Sequence, residues 1–478
     1  MTRTAITNAL YVLAFDGSGH RLLKNGTVVY EGDSIIFVGR EYPGKVDAVI
    51  DASNQIVIPG LVNVHCHLLT ESINKGFLED QGSRKLGMSG LFEYLPATAA
   101  KRSEQDSAWL LRFALTELLK SGCTTVVEMG NDTDALVDVY GEMGVRAYIA
   151  PGYKDAHWYT RNGHEVLYEW DAERGRELFK NAVRFIEKHS GRYDDRIRGF
   201  LAPMQVDTCT EHLLLQTKAA QRQLNVPVQI HVSQSTPEFA EMMRRHGMTP
   251  VEWLGSIGFL SPDTILGHCI FVNHHTSIRY KDHDDMALVA SSGASVAHAP
   301  WVFARRGLHM QSFGRYVRRG INVGIGTDSV PQDMLGEMRW AAVIGKNAEE
   351  DTGCPTAAEV FDAATLGGAQ ALGREDLGRI APGAKADLVL IDANNMAMRP
   401  LRDPIKNIVY YADNRVVSSV IVNGKQVVQN AEVTAVREAD VIEHVQRIAD
   451  KILSQTREHD WANRTHDQLS PLSYKLIE

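Results

Sequence analysis

The chain has 478 residues, 44% apolar and 23% charged, enough for a large core and more than one structural unit. Its net charge of −9 and lack of any basic run argue against nucleic acid or an anionic membrane as partner. No stretch approaches the roughly eighteen uninterrupted apolar residues of a membrane span, and the first sixteen residues lack the layout of a signal peptide.

In chain order, 1–58 reads as short strands between turns: an apolar run at 5–15, Asp16-Gly17-Ser18-Gly19, then runs at 26–30 and 34–39 around Gly32-Asp33. The same style returns at 386–392 and 416–428, where Asn423-Gly424 marks a turn, so both chain ends are expected to build one small β unit. Between them, β-branched runs alternate with helix-period stretches, the rhythm of a parallel sheet with crossover helices. Eight strands are predicted: 61–67, 123–129, 146–152, 197–203, 227–233, 264–270, 295–300 and 322–329, with seven or nine as alternative parses. Asp106 to Lys120 predicts a helix with Leu111, Leu115, Leu118 and Leu119 on one stripe and Gly122 as its stop. Eight βα units predict a closed barrel with its chemistry at the C-terminal strand ends. The tail, 436–478, carries Val441, Val445, Ile448 and Ile452 at helical spacing and predicts a packing helix. The division is therefore 1–58 and 376–435 as the two parts of a β-sandwich, 59–375 as the barrel, and the tail. Cys66, Cys123, Cys209, Cys269 and Cys354 are odd in number and far apart, which suits free thiols in a reducing cytoplasm.

Metal-type residues cluster where a barrel demands them. His65 and His67 end the first strand, and alternate strand residues share a face, so the two imidazoles converge while Cys66 points away. His231 lies late in the fifth strand, His268 late in the sixth, and Asp328 follows Gly326-Thr327 at the end of the eighth. A lone histidine in an apolar run is usually a hydrogen-bonded core residue; five metal-type residues at one end of four strands are hard to reach by chance.

PGLVNVHCHL, GCTTVVEM, IHVS, LGHCI, VAHAP, VGIGTDS and the later PGAKADLVLID together resemble the amidohydrolase superfamily, in its cytosine deaminase, adenosylhomocysteine deaminase and chlorotriazine hydrolase branch. The resemblance spans about residues 5–428 and implies an α/β fold: a (β/α)8 TIM-like barrel with a β-sandwich from both chain ends. It implies His65, His67, His231 and Asp328 as metal ligands and His268 as a contact to the water or the substrate. The fourth strand ends Leu201-Ala202-Pro203, without the lysine of two-metal relatives, so one divalent ion is expected. Three imidazoles and a carboxylate suit zinc first and Fe(II) second, with Mn(II) or Co(II) as further options.

One departure bears on the reaction. Ring deaminases and dechlorinases of this branch place a glutamate three residues after the fifth-strand histidine; here that residue is Gln234, which donates a hydrogen bond but cannot act as an acid. General acid catalysis is worth about 10²–10⁴ in rate. The expected reaction is therefore hydrolysis of a C–N or C–S bond in a small non-peptide amide, urea, carbamate or thiocarbamate, with Asp328 moving protons and His268 and Gln234 holding the substrate. Glu238, a turn further on, is the residue that would restore an acid. The alternatives are a deaminase or dechlorinase of a purine, pterin or triazine, and an inactive scaffold relative. Further substrate contacts are expected from His298, Trp301 and Phe303, from His157 and Trp158 in the third-strand loop that also carries Tyr159 and Tyr168, and from Met204, with Gln205 beside it. Phe77, Phe92 and Tyr94 add to an aromatic wall; Arg305 and Arg306 read as solvated or salt-bridged, and Glu128 as structural as readily as catalytic. A cytoplasmic homo-oligomer acting on a small molecule, with no nucleic acid or membrane partner, completes the expectation.

Overall fold

The computed structural model describes residues 2–477, apart from 70–71, 84, 131–133, 279, 281–283 and 312. Two four-stranded parallel sheets form its centre. The first runs in the order β4-β3-β2-β1, from β1 (Leu61–Cys66), β2 (Cys123–Met129), β3 (Arg146–Ala150) and β4 (Ile197–Gly199). The second runs β5-β6-β7-β8, from β5 (Val228–Val232), β6 (Thr264–His268), β7 (Ser295–His298) and β8 (Val323–Ile325). Every residue of β1, β2, β5 and β6 is buried, as expected of parallel strands covered on both faces. The two sheets meet at both seams. Leu201 pairs with Val228 beyond β4, and Cys66 pairs with Asp328 beyond β8, both in parallel sense. At the second seam Asp328 N donates to the His65 carbonyl and His67 N to the Asp328 carbonyl, each at 2.9 Å.

All but β2 end earlier than their sequence runs, and after β5, β6 and β8 the chain turns sharply. Ser233, His268, Cys269 and Asp328 all take left-handed φ, of 52°, 74°, 46° and 55°. Non-glycine residues seldom hold that conformation, and where they do the surroundings impose it, commonly at functional sites.

Helices lie between the strands. The helix after β1, Glu104–Lys120, begins where Ser103 accepts the Asp106 N–H and buries Leu111, Leu115, Leu118 and Leu119, the predicted stripe. Gly122 follows at φ 83°, a left-handed turn that glycine reaches without strain. Strands from both chain ends share one nine-stranded sheet, joined where Gln55–Pro59 pairs antiparallel with Leu388–Asp392. Arg146, at the start of β3, ties that sheet to the centre through a buried two-bond pair with Asp387 (3.0 and 3.2 Å). The tail helix, Glu438–Ser454, buries Val441, Val445, Ile448 and Ile452. All five cysteines are free thiols, and among the described residues no helix is long and apolar enough to cross a membrane.

Candidate metal centre and substrate cavity

His65, His67, His231 and Asp328 converge at the strand tips, each offering a ligand atom within 4.8 Å of the others. What brings them together is a set of acceptors behind the rings. His65 Nδ1 donates to Gln229 Oε1 at 2.7 Å, His67 Nδ1 to the Met129 carbonyl at 2.7 Å, and His231 Nδ1 to the Met204 carbonyl at 2.6 Å. Gln229 is itself oriented, its Nε2 donating to the Val64 carbonyl at 2.7 Å. These bonds fix the tautomers, so each Nε2 lone pair faces inward.

The inward side is crowded with acceptors. His67 Nε2 and His231 Nε2 lie 3.1 Å apart, and Asp328 Oδ1 lies 2.9 Å from His65 Nε2 and 3.5 Å from His67 Nε2. Lone pairs facing one another without a proton between them repel unless a cation sits among them. Three neutral imidazoles and one carboxylate, with room left for water, form the donor set of a catalytic divalent metal site. Burial, helped by the fields of His65, His67 and His268, pushes His231 well below the imidazole range, and burial lowers His67 too. Burial alone would raise Asp328, but the close approach of the His65, His268 and His67 rings outweighs it and holds the carboxyl well below the usual range. His67 and His231 thus favour the neutral form and Asp328 the ionised form, the forms that bind a metal.

Asp328 is placed by a buried polar network. Asn63 Nδ2 donates to Thr327 Oγ1 at 2.8 Å, and Asn63 Oδ1 accepts the backbone N–H of Thr327 at 3.2 Å. Gly326 must be glycine, since a Cβ there would sit 2.7 Å from the His65 carbonyl oxygen.

His268 differs from the ligands. Its Nε2 lies 3.7 Å from Asp328 Oδ1, its ring packs edge-on against Phe303, and its buried Nδ1 has no partner. Burial pushes it well below the imidazole range, so it stands neutral beside the metal group.

A cavity of about 250 Å³ opens over the centre. Gln234, Met204, Gln205 and Phe303 line it along with His67, His231, His268 and Asp328. The amide Nε2 of Gln234 is buried there without a partner. Glu238 does not reach the cavity: its carboxyl accepts the N–H groups of Ser233 (2.5 Å) and Gln234 (2.9 Å), and burial with Asp207 nearby pushes it well above the carboxylate range.

Four expected contacts lie elsewhere. The Trp158 indole N–H is drawn to Asp207 Oδ2 at 2.9 Å, that of Trp301 to the Val330 carbonyl at 3.1 Å, His157 is exposed, and His298 is buried against Phe313. Phe92 and Phe77 also pack inward, on Trp158 and Tyr94. The wall is therefore aliphatic rather than aromatic: Leu69, Met88, Leu91, Leu95 and Met129, with Phe303 as the one phenyl ring among the described lining residues. Arg306, read from sequence as solvated or salt-bridged, also lines the cavity. Glu128 does as well, its Oε2 accepting the Leu68 N–H at 2.8 Å, and burial pushes its pKa up to about 8. Sequence reasoning missed Gln229, although its place two residues before His231 in β5 puts it on the same strand face.

Comparison with known proteins agrees with this geometry. The model of the amidohydrolase family matches residues 56–427. A 5′-deoxyadenosine deaminase of Methanothermobacter thermautotrophicus is 32% identical over 427 residues, covering 88% of this chain and 93% of that protein. A 5-methylthioadenosine/S-adenosylhomocysteine deaminase of Thermococcus onnurineus is 30% identical over 428 residues, covering 86% and 94%. Among solved structures, an adenosine deaminase from Xanthomonas campestris with bound zinc shares the fold at TM-score 0.81 and 24% identity, over 94% of this chain and 98% of that one. A mutant atrazine chlorohydrolase from Arthrobacter aurescens TC1, complexed with zinc and atraton, does so at TM-score 0.80 and 22% identity, over 93% and 100%. With a three-histidine, one-aspartate metal group at its strand tips, the chain belongs to the amidohydrolase family of metal-dependent hydrolases acting on carbon–nitrogen bonds.

Proposed function

We propose that this enzyme hydrolyses a C–N or C–S bond at a carbonyl carbon of a small amide, urea, carbamate or thiocarbamate, with one zinc ion held by His65, His67, His231 and Asp328. A divalent cation in such a site lowers the pKa of a water from about 15.7 toward about 7. Asp328 takes the proton from that water as its oxygen adds to the carbonyl carbon, and returns it to the leaving nitrogen or sulfur as the bond breaks. His268 serves as hydrogen-bond donor to the carbonyl oxygen as it gains negative charge; no backbone carbonyl pins its Nδ1, unlike the three ligand histidines. Gln234 donates its amide N–H to a substrate heteroatom, and the aliphatic wall takes the apolar substituent.

The observation that carries this reading is Gln234: an unpartnered amide lines the cavity where ring chemistry asks for an acid, and the nearby carboxyl, Glu238, is spent on backbone N–H groups. A second reading, deamination of an adenosine analogue, draws on the relatives named as 5′-deoxyadenosine deaminases. It would make Glu128 the ring-protonating group, as the carboxyl that lines the cavity besides Asp328 among the described residues. Zinc-loaded protein offered an N-aryl urea, an aryl carbamate, an S-alkyl thiocarbamate and 5′-deoxyadenosine separates the two. Amine or thiol release, not raised by Gln234→Glu, is expected; ammonia from 5′-deoxyadenosine with silence on the carbonyl compounds would overturn the proposal.

The same reading takes the two parallel sheets as one closed (β/α)8 barrel over 59–375, supported by the pairings at both seams. It takes 1–58 with 376–435 as a β-sandwich, 436–478 as a helical tail, and the enzyme as a cytoplasmic homo-oligomer, in keeping with five free thiols.

A further inference from the structure

The wall facing the metal group comes from the long connection between β1 and the helix at 104–120. Leu91 and Leu95 line the cavity from one short helical stretch, four residues apart and so on one face. Glu93 lies between them and is only 4% exposed, yet it does not line the cavity. Its Oε1 accepts Trp461 Nε1 at 2.9 Å and Arg464 Nη2 at 3.3 Å, both from the segment that follows the tail helix. Arg464 is fixed in turn by Asp460 (2.7 and 2.9 Å) and lies over the Trp461 ring, 5.2 Å from its centroid.

The grip extends along the connection. Leu469 is buried among Phe77, Leu78, Tyr94 and Ala97, while Val445, Ile448 and Ile452 pack with Ile73, Ala100 and Leu110. The loop after β3 closes on the same point: a Cβ at Gly163 would sit 3.0 Å from the Trp461 ring and 3.2 Å from Glu93 Oε1. A buried carboxylate is costly unless paired in good geometry, so this arrangement allows few orientations of the stretch that bears it. The connection also lines a second cavity of about 250 Å³, which shares Met88 and Arg306 with the first, so its placement shapes both.

We propose that Glu93, Trp461 and Arg464 are positioning residues, through which the C-terminal segment holds Leu91 and Leu95 against the substrate. This rests on the cavity being the substrate site. The full-length zinc-loaded protein and its Trp461→Phe, Arg464→Gln and Glu93→Gln variants are compared by hydrogen exchange with mass spectrometry. Trp461→Phe removes the indole N–H with part of the ring, at a side chain that is 38% exposed, so folding is expected to survive. Exchange across 88–97 should rise about 10- to 100-fold, the loss of one buried hydrogen bond to a charged group, while 228–232 and zinc content stay as in wild type. For whichever carbonyl compound is turned over, KM should rise more than kcat falls. Unchanged exchange across 88–97 in all three variants, or an increase spread evenly over the chain, would overturn the proposal. Exchange reads the clamp even if no compound is turned over, so a silent panel would count against the functional reading alone.

Discussion

Replacing Gln229 by methionine, of similar length but with neither donor nor acceptor amide, tests what organises the metal group. Gln229 is fully buried and makes two bonds of 2.7 Å, one accepted from His65 Nδ1 and one donated to the Val64 carbonyl. The variant strands an imidazole N–H and a carbonyl, each costing about 1–3 kcal/mol, so the metal-free protein should lose about 2–6 kcal/mol. It also frees the His65 tautomer, and loss of such a supporting partner typically weakens metal affinity about 10- to 100-fold, or ~1.4–2.7 kcal/mol. Zinc competition against a chromophoric chelator at pH 7, with thermal unfolding in excess chelator, separates the two effects. A folded Gln229→Met protein that holds zinc as tightly as wild type would refute the view that this bond orients His65.

Three further outcomes follow. Asp328→Asn in fully zinc-loaded protein should lower kcat/KM by about 10²–10⁴ on any substrate turned over, since the amide cannot accept the water's proton; steady-state kinetics check it. Gln234→Glu should not raise turnover of a carbonyl substrate, whereas a large gain would mean the native reaction needs an acid there. Burial pushes His298 down to about 3 and His20, beside Arg379, down to about 4. Both must stay neutral in the fold, so their stabilisation is fully present above the ordinary imidazole pKa of about 6.5 and is lost as pH falls toward the folded values. At pH 4 each should cost about 3 kcal/mol, and His298→Gln should flatten the acid limb of Tm against pH relative to wild type.

The residues that hold the metal were legible because their signal is local. His-x-His puts two rings on one strand face, and His231, His268 and Asp328 stand at the ends of apolar runs whose β character is plain. The eight strands were legible for the same reason, though most of their ends were not; left-handed turns at Ser233 and Cys269 cut β5 and β6 short. The lining of the cavity over the metal group was not legible. Leu91 and Leu95 sit in a long connection placed by the tail helix and by Trp461, contacts more than 350 residues apart in sequence. Trp158 and Trp301 were expected at the cavity; their indole N–H groups go instead to Asp207 and the Val330 carbonyl, and neither ring lines it.

X-ray absorption at the zinc edge, with metal content of the same sample, tests most directly whether those four side chains share one ion. One zinc per chain is predicted, with a nitrogen and oxygen shell at about 2.0–2.2 Å that is lost in His67→Ala. A sulfur shell near 2.3 Å, or protein that stays empty after reconstitution with zinc, would contradict the account.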